Sequence, residues 1–200
     1  MNPSSARPYS VAHACTVGGV ADLTARPYEP SDAAAVAALM NTIDEAGGGR
    51  AGFAVEEIGA MLSSAVAHFP TDTRLTFAPD GTLVAAGVVP TPPPGGFRVD
   101  LFVGGVHPDW RGQSLGRAVL GWQYERATQI HAATAPQAQW QAETCVVTGE
   151  PTAARLFARL DFAPVRYSFD MLASTTATSG ATLPAGRGAA GAWPARSWPR

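Results

Sequence analysis

Apolar positions recur along this chain in two alternating periods. Residues 32–49 carry Val36, Leu39, Met40 and Ile43 at helical spacing, with Ser31 as the expected cap and Gly47-Gly48-Gly49 as the stop. Residues 55–69 predict a second amphipathic helix, with Ile58, Met61, Leu62, Val66 and Phe69 on one side. Before them, residues 21–30 read as a short strand ended by Pro30. After them, residues 74–90 read as two strands around a Pro79-Asp80-Gly81 turn. Residues 97–106 alternate: Phe97, Val99, Leu101 and Val103 face one way, Arg98, Asp100 and Phe102 the other. A helix over about 115–131 follows. Then come a strand over 139–147, a helix over 151–162 with Pro151 in its first turn, and a last strand over 165–172.

The order βααβββαβαβ predicts an α/β protein. Its hairpin strands come first and helical crossovers join the later ones, so a central mixed sheet flanked by helices on both faces is expected. This pattern occupies residues 21–173. Residues 1–20 have no period and read as a flexible leader. Residues 174–200 are low in complexity, contain no acidic residue, and read as a disordered tail. Trp193 and Trp198 in that tail are either an interaction motif or part of an unstructured end.

Composition narrows the partners. A chain of 200 residues with 46% hydrophobic residues can build one ordinary core. The net charge of −2, with charged residues at 15%, offers no basic stripe for nucleic acid. All 14 basic residues are arginine, which with the abundant alanine reads as GC-rich coding. Cys15 and Cys145 lie far apart and suit a reducing compartment. His13, His68, His107 and His131 lack metal-ligand spacing, so no metal is expected. Neither a signal peptide nor a membrane span stands out, and a cytoplasmic protein is expected.

One junction carries candidate chemistry. A strand ends in Gly104-Gly105-Val106, "HPDW" turns the chain, and "RGQSLGR" (111–117) opens a helix. The first four N–H groups of a helix lack internal partners, and the helix dipole adds positive charge there. Glycines at 112 and 116 let amides approach a ligand, and Arg111 and Arg117 add full charges. Such a mouth suits an anionic group, a diphosphate among them. It lacks the GxGxxG spacing of dinucleotide folds and the Gly-Lys-Ser/Thr of a Walker A loop.

The phrase "GGVHPDWRGQSLGRAVL" resembles the acetyl-CoA signature of the GNAT N-acetyltransferase superfamily. Val106, Pro108, Arg111, Gly112 and Gly116 match it, and Ser114 replaces its middle glycine. The element order over residues 22–172 agrees with that family. The resemblance implies that Arg111, Gly112, Gln113, Ser114, Leu115, Gly116 and Arg117 hold the coenzyme A diphosphate. It implies that Gly104, Gly105 and Val106 receive the pantetheine as an added strand and point an N–H at the thioester oxygen. It further implies direct acetyl transfer from acetyl-CoA to a small-molecule or peptide amine, by a monomer or homodimer.

Such transfer needs a base for the amine and a proton for the leaving thiolate. Asp100 stands six residues before Val106, where some relatives carry a carboxylate base. Two roles fit it: a base with a raised pKa, or a solvated strand residue paired with Arg98. Glu143 is the second candidate. His107 is expected to shape the turn. Relatives often place a Tyr in the phrase that here reads "LFARLDF", where Phe157 stands instead. Water, Tyr124 or Tyr167 then protonates the thiolate, or it leaves unprotonated. Cys145 reads as a small buried strand residue rather than a nucleophile. Two alternatives remain: a non-catalytic acyl-CoA-binding or regulatory module, and one half of a tandem two-domain acetyltransferase. The acceptor groove is expected beside 44–55 and the Pro-rich loop at 91–96, with Asp44 and Glu45 either attracting a cation or simply ending a helix.

Overall fold

In the computed structural model, residues 22–49, 52–92, 103–146 and 150–167 are described in full and residues 98–100 as backbone. The expected leader and tail lie outside the described residues. The chain divides into two compact units, Met1–Ala163 and Pro164–Arg200.

The first unit runs β1 (Thr24–Arg26), α1 (Ala33–Ala46), α2 (Val55–Ala65), a single turn α3 (Phe69–Asp72), β2 (Thr73–Phe77) and β3 (Leu83–Val88). It continues with β4 (Arg98–Asp100), β5 (Gly104–Val106), α4 (Leu115–Thr134), β6 (Gln141–Glu143) and α5 (Pro151–Ala158). Through α5 the order agrees with the sequence reading except that a single-turn α3 is added and the strand expected over 97–106 is split in two, and the sheet is divided. Strands β1, β2, β3 and β5 form an antiparallel sheet in that spatial order, and β4 pairs in parallel with β6 alone. Of the last expected strand, 165–167 lie outside any strand and 168–172 outside the described residues.

β3 is buried at every position, which requires cover on both faces. Leu83, Ala86 and Val88 pack with Val36, Leu39, Ile58 and Leu62 from α1 and α2. Val84 packs with Leu115, and Val89 with Leu120 and Ala127, all from α4. Thr76 faces Ala85 while Phe77 faces Leu83, so Val84 is an extra residue in the β2–β3 ladder. That bulge switches which face each flanking side chain takes. Gly87 brings α4 close: a Cβ there would stand 2.8 Å from Val119 and 3.4 Å from the Gln123 carboxamide carbon.

The entry to α1 differs from the expected Ser31 cap. Pro30–Asp32 forms a 3₁₀ turn, and Asp32 is the first flanking residue of α1. The Asp32 carboxylate accepts the Glu29 N–H at 2.8 Å and two Arg26 guanidinium bonds at 2.6 Å each. Those Arg26 bonds come first in holding the Asp32 pKa below its ordinary 3.8, against the opposing effect of burial. The second helix stops at Ala65, four residues short of the expectation. Val66 takes extended geometry, and Phe69 starts its own turn ahead of Pro70.

Candidate functional site

The strand expected over 97–106 changes partners midway. Arg98–Asp100 pairs with Gln141–Glu143, whereas Gly104–Val106 pairs with Ala85–Gly87. β5 is the last strand of the four-stranded sheet, and among the described residues no strand covers its outer edge. Its glycines have steric causes. Gly104 has φ +150°, and a Cβ there would stand 2.5 Å from the Ala86 carbonyl oxygen. A Cβ on Gly105 would stand 2.8 Å from Ile43 Cδ1. The two glycines thus bring β5 against both the β3 backbone and α1. An edge strand of this kind presents backbone groups to an extended ligand.

The loop after β5 is a chain of short-range devices. His107 Nδ1 accepts the Asp109 N–H at 3.3 Å and caps the Pro108–Trp110 turn, the loop-shaping role expected of it. Gly112 has φ +79° with open space around it, as a cradle for a ligand requires. Ser114 stands just ahead of α4 at φ 66°, ψ 2°, in the left-handed region. Its hydroxyl makes no capping bond, so the helix begins without a side-chain cap. Leu115 is buried with Leu23, Ala78 and Val84, which fixes the direction in which the first helical amides point. Those amides have no intrahelical acceptor.

One charge and one glycine of the loop have contacts within the protein, and a second charge is exposed. Arg111 is committed within the protein: its Nη1 donates to Glu150 Oε1 at 3.0 Å, and Nε reaches the Val106 carbonyl at 3.5 Å. It joins the loop to the start of α5 and to β5. Arg117 is exposed on the first turn of α4. Gly116 faces α5 rather than open space, since a Cβ there would stand 3.2 Å from Leu156 Cδ2. Its lack of a side chain serves helix packing.

The carboxylate candidates come together in register. Asp100 is paired with Glu143 across the parallel β4–β6 ladder, so both lie at the end of that ladder nearest the change of partners. Glu143 is half-buried. Phe157 is half-buried in an apolar cluster with Val89, Leu120 and Ala127, its ring 6.0 Å from that of Phe162. Tyr124 packs on Trp140, with ring centroids 5.7 Å apart, and is half-exposed. Tyr167 belongs to the second unit and is exposed. Cys145 lies beyond the end of β6 and is exposed, which corrects the expectation of a buried strand residue. Among the described residues the strand is shorter than the expected 139–147, with Gln141–Glu143 paired to Arg98–Asp100.

Two residues of the site are not evident from sequence motifs. Glu150 precedes Pro151 at the start of α5 and receives Arg111; a carboxylate just ahead of a helix with Pro at its first position reads locally as a cap. Asn41 on α1 accepts the Gly52 and Phe53 N–H groups at 3.0 and 2.9 Å and donates to the Phe53 carbonyl at 3.1 Å. It anchors the segment between α1 and α2, beside the expected acceptor groove. Asp44 is folded against the Gly47–Gly49 turn, where a Cβ on Gly49 would collide with its carboxylate. Among the described residues no cluster has the makings of a metal site, and no helix is long and apolar enough to cross a membrane.

No protein-family model matches the chain, and no curated protein matches its sequence. Solved structures do match. A GCN5-related N-acetyltransferase from Sphaerobacter thermophilus is 26% identical at a TM-score of 0.65, covering 72% of this chain and 44% of its own. An acetyltransferase of the GNAT family from Streptococcus pneumoniae is 21% identical at 0.53, covering 69% and 82%. The diaminobutyrate acetyltransferase of Paenibacillus lautus, solved with L-2,4-diaminobutyric acid and coenzyme A, is 16% identical at 0.50, covering 69% and 74%. The latter two likenesses are of fold, and the chain spans less than half the length of the Sphaerobacter protein. The chain thus has the fold of the GCN5-related N-acetyltransferases, with a glycine-edged strand running through a turn into the mouth of a long helix.

Proposed function

We propose that this chain transfers an acetyl group from acetyl-CoA to a primary amine without a covalent enzyme intermediate. The observation that carries the reading is the continuity of β5, the 107–114 loop and α4. An open strand edge leads directly into a helix mouth with left-handed backbone at Gly112 and Ser114. The diphosphate is assigned to the amides of 112–117, with Arg117 as the exposed cation beside them. Arg111 holds the loop in place through Glu150 and Val106. The pantetheine is assigned to the β5 edge, and a backbone N–H within Gly104–Val106 to the developing oxyanion. The Paenibacillus protein's coenzyme A supports this choice of donor, and its L-2,4-diaminobutyric acid supports an amine acceptor.

Asp100 and Glu143 are assigned to the acceptor's proton. The amine loses a proton to a carboxylate or its water, attacks the thioester carbonyl, and expels the thiolate as the C–S bond breaks. Phe157 has no acidic proton to give and is half-buried among apolar neighbours, so the thiolate's proton is assigned to water. The test is calorimetry with acetyl-CoA, followed by thiol release over an amine panel. Binding with amine-dependent thiol release, lost in Asp100→Asn or Glu143→Gln, is the expected result. Absence of acetyl-CoA binding would overturn the reading.

Phe157 also favours a second reading, an acyl-CoA-binding module without turnover. Tight binding with no thiol release across the panel would select it. The Sphaerobacter protein's greater length keeps a third reading in view, one half of a two-domain enzyme. A location in the cytoplasm is proposed with the enzyme reading, since acetyl-CoA is the co-substrate. Sizing with mass measurement distinguishes monomer from homodimer.

A further inference from the structure

We propose that Gln123 is the positioning residue that fixes the start of β5 against the end of β3, and thereby shapes the pantetheine edge. This rests on the acetyl-CoA reading above. Gln123 lies in the middle of α4, where its neighbours on the buried face are Val119, Leu120 and Ala127. It is 3% exposed, and a buried carboxamide among apolar side chains is costly unless its groups are bonded. Its Nε2 donates to the Val88 carbonyl at 2.9 Å and to the Val103 carbonyl at 3.2 Å. Both acceptors lie where the chain changes partners. The β3–β5 ladder ends at Gly87 opposite Gly104, and Val103 is the next residue outward. Val88 still donates its N–H to the Val103 carbonyl at 3.0 Å. Gly87 leaves the room through which α4 delivers the carboxamide, since a Cβ there would crowd both Val119 and Gln123.

One side chain therefore bridges the last carbonyl of β3 and the residue from which the chain leaves for β6. Val88 and Val103 are 2% and 6% exposed, so water does not replace the donor. Without Gln123, the buried Val88 carbonyl must find another N–H. With that donor gone, Val103 and the end of β3 lose their shared anchor, and the edge of β5 that starts at Gly104 is no longer held in place. The nucleotide mouth, at the other end of β5 beyond Val106, is left as it was. Gln123 thus acts on the arm of the ligand rather than on its diphosphate.

The experiment compares two ligands by calorimetry on wild type and Gln123→Met, which keeps an unbranched chain without a donor. The ligands are acetyl-CoA and 3′-phospho-ADP, the nucleotide half of coenzyme A. The expected result is a loss of about tenfold in acetyl-CoA affinity with the 3′-phospho-ADP affinity unchanged. Equal weakening of both ligands, or no change in either, overturns the assignment while leaving the acetyl-CoA reading intact. Failure of wild type to bind either ligand overturns the acetyl-CoA reading and the assignment with it. If the Met variant does not fold, Gln123→Glu keeps the size and removes both N–H donors when ionised, and the same two affinities decide.

Discussion

Ser114 gives the sharpest quantitative expectation. It is a non-glycine residue at φ 66°, ψ 2°, and its hydroxyl makes no capping bond that would offset the strain. Left-handed backbone costs an L-residue roughly 1–2 kcal/mol, because Cβ approaches the following carbonyl oxygen. Glycine removes that cost but loses more entropy on folding, an opposing effect of about 0.4–1 kcal/mol. Ser114→Gly should therefore stabilise the chain by about 0.5–1 kcal/mol. For a domain of this size that raises Tm by about 1–4 °C. Ser114→Ala keeps the strain and removes only the hydroxyl, so its Tm should stay near wild type. Thermal unfolding followed by circular dichroism reads both. A glycine variant that melts at or below wild type would refute the strain argument. Acetyl-CoA affinity adds a second measurement. Ser114→Gly should leave it unchanged or tighten it, as a preformed loop costs less to order. A clear loss in both variants would instead assign the hydroxyl to a phosphate oxygen.

Three other outcomes are expected. Gly104→Ala combines a φ of +150° with a Cβ 2.5 Å from the Ala86 carbonyl oxygen, and should cost about 2–4 kcal/mol in urea unfolding and abolish acetyl-CoA binding. Glu150→Gln weakens the ion pair through which Arg111 holds the loop, so acetyl-CoA affinity should fall by about two- to fivefold. A rise by calorimetry would show instead that the released guanidinium binds phosphate. Asp32 is held below its ordinary pKa chiefly by Arg26, so its contribution is present above about pH 4 and is lost as pH falls through the lowered value. Asp32→Asn should thus cost about 1–2 kcal/mol at pH 7, with the gap to wild type closing as acid unfolding proceeds below pH 4. A gap that persists undiminished at pH 2 would show that the carboxylate charge is not its source.

The sequence by itself determined the order of elements through α5 and the place of the candidate ligand-binding mouth. Helical spacing at Val36, Leu39 and Ile43, the Pro79-Asp80-Gly81 turn and the loop from His107 to Arg117 are local signals, set by neighbours a few residues away. The ends of elements were less legible where packing decides them, as at Ala65 and around β6, because a strand lasts only as long as its partner does. The change of partners between Asp100 and Gly104 belongs wholly to the tertiary structure. Alternation of side chains reads the same whether a strand pairs with one neighbour or two, so residues 97–106 looked like one continuous strand. The steric roles of Gly104, Gly105 and Gly116 likewise depend on Ala86, Ile43 and Leu156, which are distant in the chain. Arg111 shows the difference most plainly. A cation at a helix mouth invites an anionic ligand, but Glu150 stands 39 residues later, and only folding brings its carboxylate to the guanidinium.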